Sequence, residues 1–458
     1  MSSTRTTVRA ARAWIDGALR PADLTVADGV IVAVDDPSPE RTPDVLVADD
    51  AVLLPGLVDS HVHVNDPGRT EWEGFPSATR AAAAGGVTTI IDMPLNSLPP
   101  TTTPDALAVK RRTAAGAAHI DVGFWGGAVP DNLGSLAALH DEGVFGFKCF
   151  LSPSGVDEFP HLDLDQLDRA MVEVAAIGSR LIVHAEDPTL LDPPGALGRG
   201  YRAFLDSRPP ASEAAAIAAV IDAARRTGAT VHILHLSDAT ALPLIAQAKA
   251  DGVALTVETC PHYLTLIAED IPDGASEFKC CPPIREARNR DLLWDGIRGG
   301  LIDAIVSDHS PSTAELKTAG DGDFGLAWGG ISGLQVGLSA VWTEALTRGI
   351  PLEVLLPLFA SGPARVAGLA GVGEIAVGAP AHLTEFAPAE RFAVRAAELW
   401  HRNPITAYDG RDLIGRIRRT WLRGVLIHDI TDIHAEDAGA TRPAAASGRL
   451  LTAREISA

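Results

Sequence analysis

LVDSHVHVNDPGRTEWEGFPSATRAAAAGGVTTIIDMP, residues 57–94, reads as strand, loop, alanine-rich helix and strand. Two apolar runs, LVDSHVH and TTIIDMP, are joined by a connection long enough for a crossover helix, and such a unit belongs in a parallel sheet. The first run also ends on His61 and His63. Residues i and i+2 of a strand share a face, so both imidazoles can reach one metal ion, with Val62 turned into packing. Taken singly, a histidine closing an apolar strand is more often a satisfied core residue than a ligand.

The same unit repeats along the chain. Further strand-like runs are IDVGFWG (120–126), FGFKCFL (145–151), RLIVHAE (180–186), TVHILHL (230–236), ALTVETC (254–260) and DAIVSDH (303–309). Helical stretches such as ALAVKRRTAAGAA and SEAAAIAAVIDAARRTG lie between them. Eight alternating units predict a (β/α)8 barrel, whose active site lies at the C-terminal ends of its strands. Residues 7–55 read as short strands with a turn at Asp28-Gly29. After about residue 370 the chain returns to strands in GEIAVGAPAHLTEF and RTWLRGVLIHD. The expected organisation is a small β domain from residues 1–55 and 371–433, a barrel from 56–370, and a mobile tail over 434–458.

Polar residues late in those runs are the candidate chemistry. Besides His61 and His63 they are Lys148, His184, His235 and Asp308. Their shared placement, each at a strand end, is harder to assign to core packing than any one of them. Parity puts His232 on the face opposite His235 and sets His309 apart from Asp308, which gives both a packing role. Lys148, between Phe147 and Cys149, is costly to bury as a free ammonium. It either pairs with a carboxylate or has reacted with carbon dioxide to give a carbamate, an anion able to bridge two cations. Asp308 is either a helix N-cap or a metal ligand that also shuttles a proton. Asp92, Glu186 and Asp187 read equally as loop charges or as acids orienting imidazoles. Cys260 and His262 with Cys280 and Cys281 do not have the spacing of a standard zinc site. Imidazole and carboxylate ligands suit zinc, with iron, cobalt or manganese as alternatives.

Composition sets outer bounds. Lys plus Arg number 38 against 59 Asp plus Glu, a net charge of −21, which repels nucleic acid and anionic membrane surfaces. Four cysteines in a chain of 458 residues do not form a disulfide framework; they read as reduced, and the protein as cytoplasmic. The N-terminal MSSTRTTVRAARAWIDG has no apolar core of a signal peptide, and no apolar run approaches ~18 residues.

The segments PGLVDSHVHVNDPGRTEWEGF, IIDMPLNSLPPTT, GFKCFLSPSGVDEFP, HAEDP, CPHYL, KCCPPIR, SDHSPS and WGGISGLQ make the chain resemble the cyclic amidohydrolases of the amidohydrolase superfamily. These are the hydantoinases, dihydropyrimidinases, dihydroorotases and allantoinases, and the resemblance runs from about residue 7 to 430. It implies a distorted (β/α)8 barrel with a small β-sandwich domain, two divalent metal ions and a homotetramer. His61, His63 and Asp308 would hold one metal, His184 and His235 the other. Lys148 would be the carboxylated bridging ligand and Asp308 the proton shuttle. Asn96, Cys149, Cys281 and Ser310 stand where related enzymes touch substrate, several through backbone groups.

Differences within the family carry the substrate expectation. Dihydroorotases resemble HxHxR at the first strand, but here the last position is Asn65. Hydantoinases and dihydropyrimidinases usually offer a tyrosine after the carboxylated lysine, where this chain has CFLSPSGVDEFP. The resemblance is therefore nearest to allantoinases. It implies hydrolytic ring opening of allantoin to allantoate in purine and ureide breakdown, with a D-hydantoinase or dihydropyrimidinase activity as the alternative. A non-catalytic scaffold of the same fold would lack ligands, and all of the candidate ligands are present.

Overall fold

A computed structural model of the chain describes residues 5–431 and 447–453. All eight predicted barrel strands form, over Leu57–Val62, Val87–Asp92, Asp121–Phe124, Phe147–Phe150, Arg180–His184, Thr230–Ile233, Leu255–Thr259 and Ala304–Ile305. Neighbours pair in parallel. Between the third and fourth strands the ladder passes through the two-residue strand Gly126–Gly127. The barrel closes where Val62 bridges His309 and the His63 N–H donates to the His309 carbonyl at 2.8 Å.

Packing explains the alternation. Phe147, Cys149, Val231 and Ile233 point outward into the layer shared with the helices. Val58, Ile91, Trp125, Ile182 and Leu234 point into the barrel, which is a packed interior rather than a channel. The barrel is distorted at two places. The third strand breaks at Trp125, whose indole donates to the Ser60 carbonyl at 2.8 Å. The first strand shifts register between Asp59 and Val62, and that shift re-aims His61.

The small domain is an eight-stranded sheet from both ends of the chain. It contains Arg5–Ile15, Ala18–Ala27, Val30–Asp35, Val45–Leu46 and Val52–Pro55, with Leu383–Ala393, Asp412–Leu422 and Val425–Asp429. Its buried core joins Val8, Leu24, Ile31, Leu53, Leu383 and Trp421. Asp28 and Gly29, with φ of 52° and 82°, make the expected tight turn, and Ala27 faces Val30 across it.

The tail departs from its expectation. Residues 434–446 and 454–458 lie outside the described residues, but 447–453 are docked, not loose. Leu450 bridges Val122 of the third barrel strand, Leu451 donates to the Val122 carbonyl, and Arg449 donates its backbone N–H to Asp121. An open strand edge accepts this segment, and its small polar composition gave no sign of that pairing.

Candidate metal centre

Six strand-end side chains meet at one end of the barrel. His61 Nε2 lies 3.1 Å and His63 Nε2 3.6 Å from Asp308 Oδ1. His184 Nδ1 is 3.0 Å from His235 Nε2. Between these groups sits Lys148, its Nζ 3.3 Å from His61 Nε2. All are buried.

Two of these positions depend on unusual backbone. His235 and Asp308 adopt φ of 36° and 42°, as do Asn65 and Asn96 at 62° and 68°. Non-glycine residues rarely enter this region, and each instance costs on the order of 1–3 kcal/mol. The alternation rule fails for the same reason. The sixth strand ends at Ile233, so His232 faces the barrel interior while the left-handed turn swings His235 in beside His184. His232 therefore corrects the packing role expected of it: its Nε2 meets Glu258 Oε2 at 2.9 Å and its Nδ1 meets Thr256 at 2.8 Å. His309 does stand apart, with its Nε2 3.2 Å from Glu73.

Hydrogen bonds fix which nitrogen is free on two of the rings, His61 and His184. Glu258 Oε1 lies 2.5 Å from His61 Nδ1. Burial works to raise the Glu258 carboxyl, but His61 and His232 outweigh it and bring it down to about 2. The carboxylate can only accept, so Nδ1 carries the hydrogen and the Nε2 lone pair faces Asp308. In the same way His184 Nε2 donates to Glu186 at 2.8 Å, which leaves Nδ1 aimed at His235.

Lone pairs and a carboxylate oxygen converging within about 3–4 Å repel unless a cation lies among them. This donor set fits divalent metal. His61, His63 and Asp308 offer one ligand atom each, all within 4.8 Å of one another. The titration behaviour agrees: burial opposes charge on His61, yet Asp308 and Glu258 pull a proton onto it, and the His61 imidazole with Lys148 holds Asp308 below the usual carboxylate range. His63 and His235 are pushed well down by burial and by neighbouring positive groups, so both are neutral. Burial also brings the Lys148 ammonium down to about 8, against the pull of Asp308 and Glu258.

The remaining candidates divide. Glu186 orients His184 as one of its two readings had it. Asp92 accepts from Lys110 at 2.7 Å and from the Val64 N–H at 2.9 Å, so it shapes the loop after His63. Asp187 caps the short helix Pro188–Leu190. The Cys149 side chain lies on the outer face of its strand, in the core, leaving only its backbone to meet a substrate. Asn96 uses its carbonyl to accept from Arg69 at 2.8 Å, and the Ser310 N–H donates to Ile331 at 3.1 Å. Cys281 is half-buried. Among the described residues no side-chain hydrogen bond links these four to the cluster. Cys260 and His262 do converge with Asp308, without Cys280 or Cys281, but burial pushes the Cys260 thiol well up and keeps it protonated.

Glu258, and Arg208, whose Nε donates to Glu186 at 3.0 Å, stand beside the cluster and were missed by sequence reading. An acid inside the apolar run ALTVETC was a legible signal. Arg208, following the helix Tyr201–Ser207, had none.

Comparison with known proteins gives the class. Residues 52–427 match the amidohydrolase family, and the chain belongs to that family. An allantoinase of Streptomyces avermitilis is 58% identical over 430 residues, 93% of this chain and 95% of the relative. An allantoinase of Arabidopsis thaliana is 45% identical over 405 residues, 85% and 80% of the two chains. Within the family the chain groups with the allantoinases. Among solved structures, an L-hydantoinase (dihydropyrimidinase) from Arthrobacter aurescens superposes with a TM-score of 0.89 at 28% identity, over 98% of this chain and 99% of that one. This agrees with a distorted barrel carrying a small β-sandwich domain.

Proposed function

We propose that this chain hydrolyses the cyclic amide of allantoin to allantoate, at two divalent cations held by the strand-end cluster. The carrying observation is that cluster, in a chain 58% identical to an allantoinase. His61, His63 and Asp308 would hold one cation and His184 and His235 the other. Lys148, as a carbamate formed with carbon dioxide, would serve both. A desolvated amine near 8 supplies the neutral form that this reaction consumes. Zinc suits the donors, with iron, cobalt or manganese as alternatives.

Bound cations of this kind polarise a carbonyl and acidify water to a pKa of ~7. The protein groups do the proton handling. Asp308 takes the proton that water gives up as its oxygen adds to the ring carbonyl carbon. It then returns that proton to the ring nitrogen as the C–N bond breaks, leaving a free ureide nitrogen and a carboxylic acid that releases its own proton to solvent and becomes the carboxylate. Glu258 and Glu186 hold the imidazoles in the tautomers described above. Asn96, Cys281, Ser310 and the backbone of Cys149 would line the ring pocket.

The barrel over 56–370 would carry this chemistry, with the β domain drawn from 1–55 and 371–433 beside it, of which 1–4 and 432–433 lie outside the described residues. Among the described residues no helix is long and apolar enough to cross a membrane, and a cytoplasmic homotetramer without nucleic-acid or membrane partners is the associated reading. Light scattering on the purified protein tests the tetramer.

The likeness to solved structures of a dihydropyrimidinase-type L-hydantoinase and of a D-hydantoinase supports a second reading, a D-hydantoinase or dihydropyrimidinase activity at the same centre. Turnover of allantoin beside hydantoin, dihydrouracil and dihydroorotate by metal-loaded protein separates the two. Preference for allantoin is expected. Preference for another ring overturns the substrate while leaving the centre intact.

A further inference from the structure

We propose that Glu186 and Arg208 are a positioning pair for His184, and that their buried network fixes both histidines of the second cation site together. The inference rests on the two-cation reading above.

The network can be followed atom by atom. His184 Nε2 donates to Glu186 Oε2 at 2.8 Å. Arg208 grips the same carboxylate with two donors, Nε to Oε1 at 3.0 Å and Nη2 to Oε2. A forked guanidinium fixes the plane of a carboxylate, which a lysine cannot do. Arg208 is itself anchored, since its carbonyl accepts from Arg285 Nη1 at 3.2 Å. Arg285 Nη2 lies 3.4 Å from Glu213 Oε2. The two Glu213 oxygens accept the backbone N–H groups of Ser237 at 2.7 Å and Asp238 at 2.9 Å. Ser237 stands two residues beyond His235. One chain of bonds therefore runs from the ring of His184 to the loop that carries His235. Glu186, Glu213 and Arg285 are only 1–3% exposed and Arg208 is half-buried, so solvent screens these bonds little.

The first site is held differently. His61 leans on Glu258, which Arg208 does not touch and which His232 supports instead. Glu258 also accepts the His235 backbone N–H at 3.2 Å, but the His184 ring depends on Glu186. Loss of the Arg208–Glu186 pair should free the His184 imidazole to rotate or change tautomer. It should leave His61, His63 and Asp308 in place.

The test measures bound metal rather than turnover. Wild type, Glu186→Gln, Arg208→Met, Arg208→Lys and His184→Asn are loaded with zinc and dialysed against graded chelator, and the retained metal is counted by atomic emission. Wild type should hold two equivalents. Glu186→Gln and Arg208→Met should release one equivalent about 10–100-fold more readily and keep the other as wild type does, with Arg208→Lys intermediate. Release of both equivalents together, or of neither, would mean a merely structural network and would overturn the proposal; Arg208→Lys keeps this decidable if the harsher variants fold poorly. A wild type holding one equivalent that His184→Asn also retains would overturn the two-cation reading and the positioning role with it, a pattern distinct from the first.

Discussion

His184 Nδ1 and His235 Nε2 lie 3.0 Å apart, although the residues stand 51 positions apart, one closing a strand and the other two residues beyond the end of its neighbour. His184 Nδ1 presents a lone pair, and His235 Nε2 either donates its proton to it or turns its own lone pair to a shared cation. Since Glu186 occupies the other nitrogen of His184, the arrangement makes sense as half of a cation site.

Removing the Lys148 side chain should remove the group between the two halves of the centre. Lys148→Ala is expected to lose most bound metal and most activity. Added short-chain carboxylic acids should restore part of both by standing in for the carbamate. Full metal content and full activity in the untreated variant would eliminate the carbamate.

Asp308→Asn keeps size and removes the basic oxygen that faces His61 and His63. A fall in kcat of about 10²–10⁴-fold is expected, the range of positioned acid–base groups, with unchanged circular dichroism. A near-normal kcat would take the proton shuttle away from Asp308.

Asp121 ties the barrel to the small domain and the docked tail. Its oxygens accept from Arg423 Nη1 at 2.6 and 2.7 Å and from the Arg449 N–H at 2.7 Å. Burial works to raise this carboxyl, but His382 and Arg423 outweigh it and hold it below the ordinary range. Its contribution is therefore present above the unfolded carboxylate pKa of ~3.9 and is lost as pH falls through the lower folded value. Asp121→Asn should cost on the order of 3 kcal/mol at neutral pH. In urea titrations the gap between wild type and variant should close below about pH 4. A gap independent of pH would remove the ion pair as its cause.

Gly330 has φ of 118°, and a Cβ there would run into the carbonyl and side chain of Ser310. Gly330→Ala should displace the loop following Asp308. The expected signature is a rise in KM for allantoin larger than the loss in kcat. If neither changes, Ser310 is not at the substrate.

Much of this centre was legible as text. An apolar run ending in histidine, lysine or aspartate marks a strand end, and recurrence of that pattern marks one face of a barrel. Glu258 was equally visible as an acid in an apolar run, yet its service to both His61 and His232 was not. Parity along TVHILHL failed because it assumes extended backbone as far as His235, which leaves that conformation two residues after the strand ends.

The sequence by itself determined the eight strands, the closure of the β domain from both termini, and the identity of the donors, because period, composition and residue chemistry are local properties. Tertiary structure alone decided which nitrogen of His61 and of His184 is free, which acid holds it there, and that Arg208 and Arg285 reach from one histidine loop to the other. Those relationships depend on left-handed turns and on contacts between residues tens to hundreds of positions apart, and no local pattern encodes such distances.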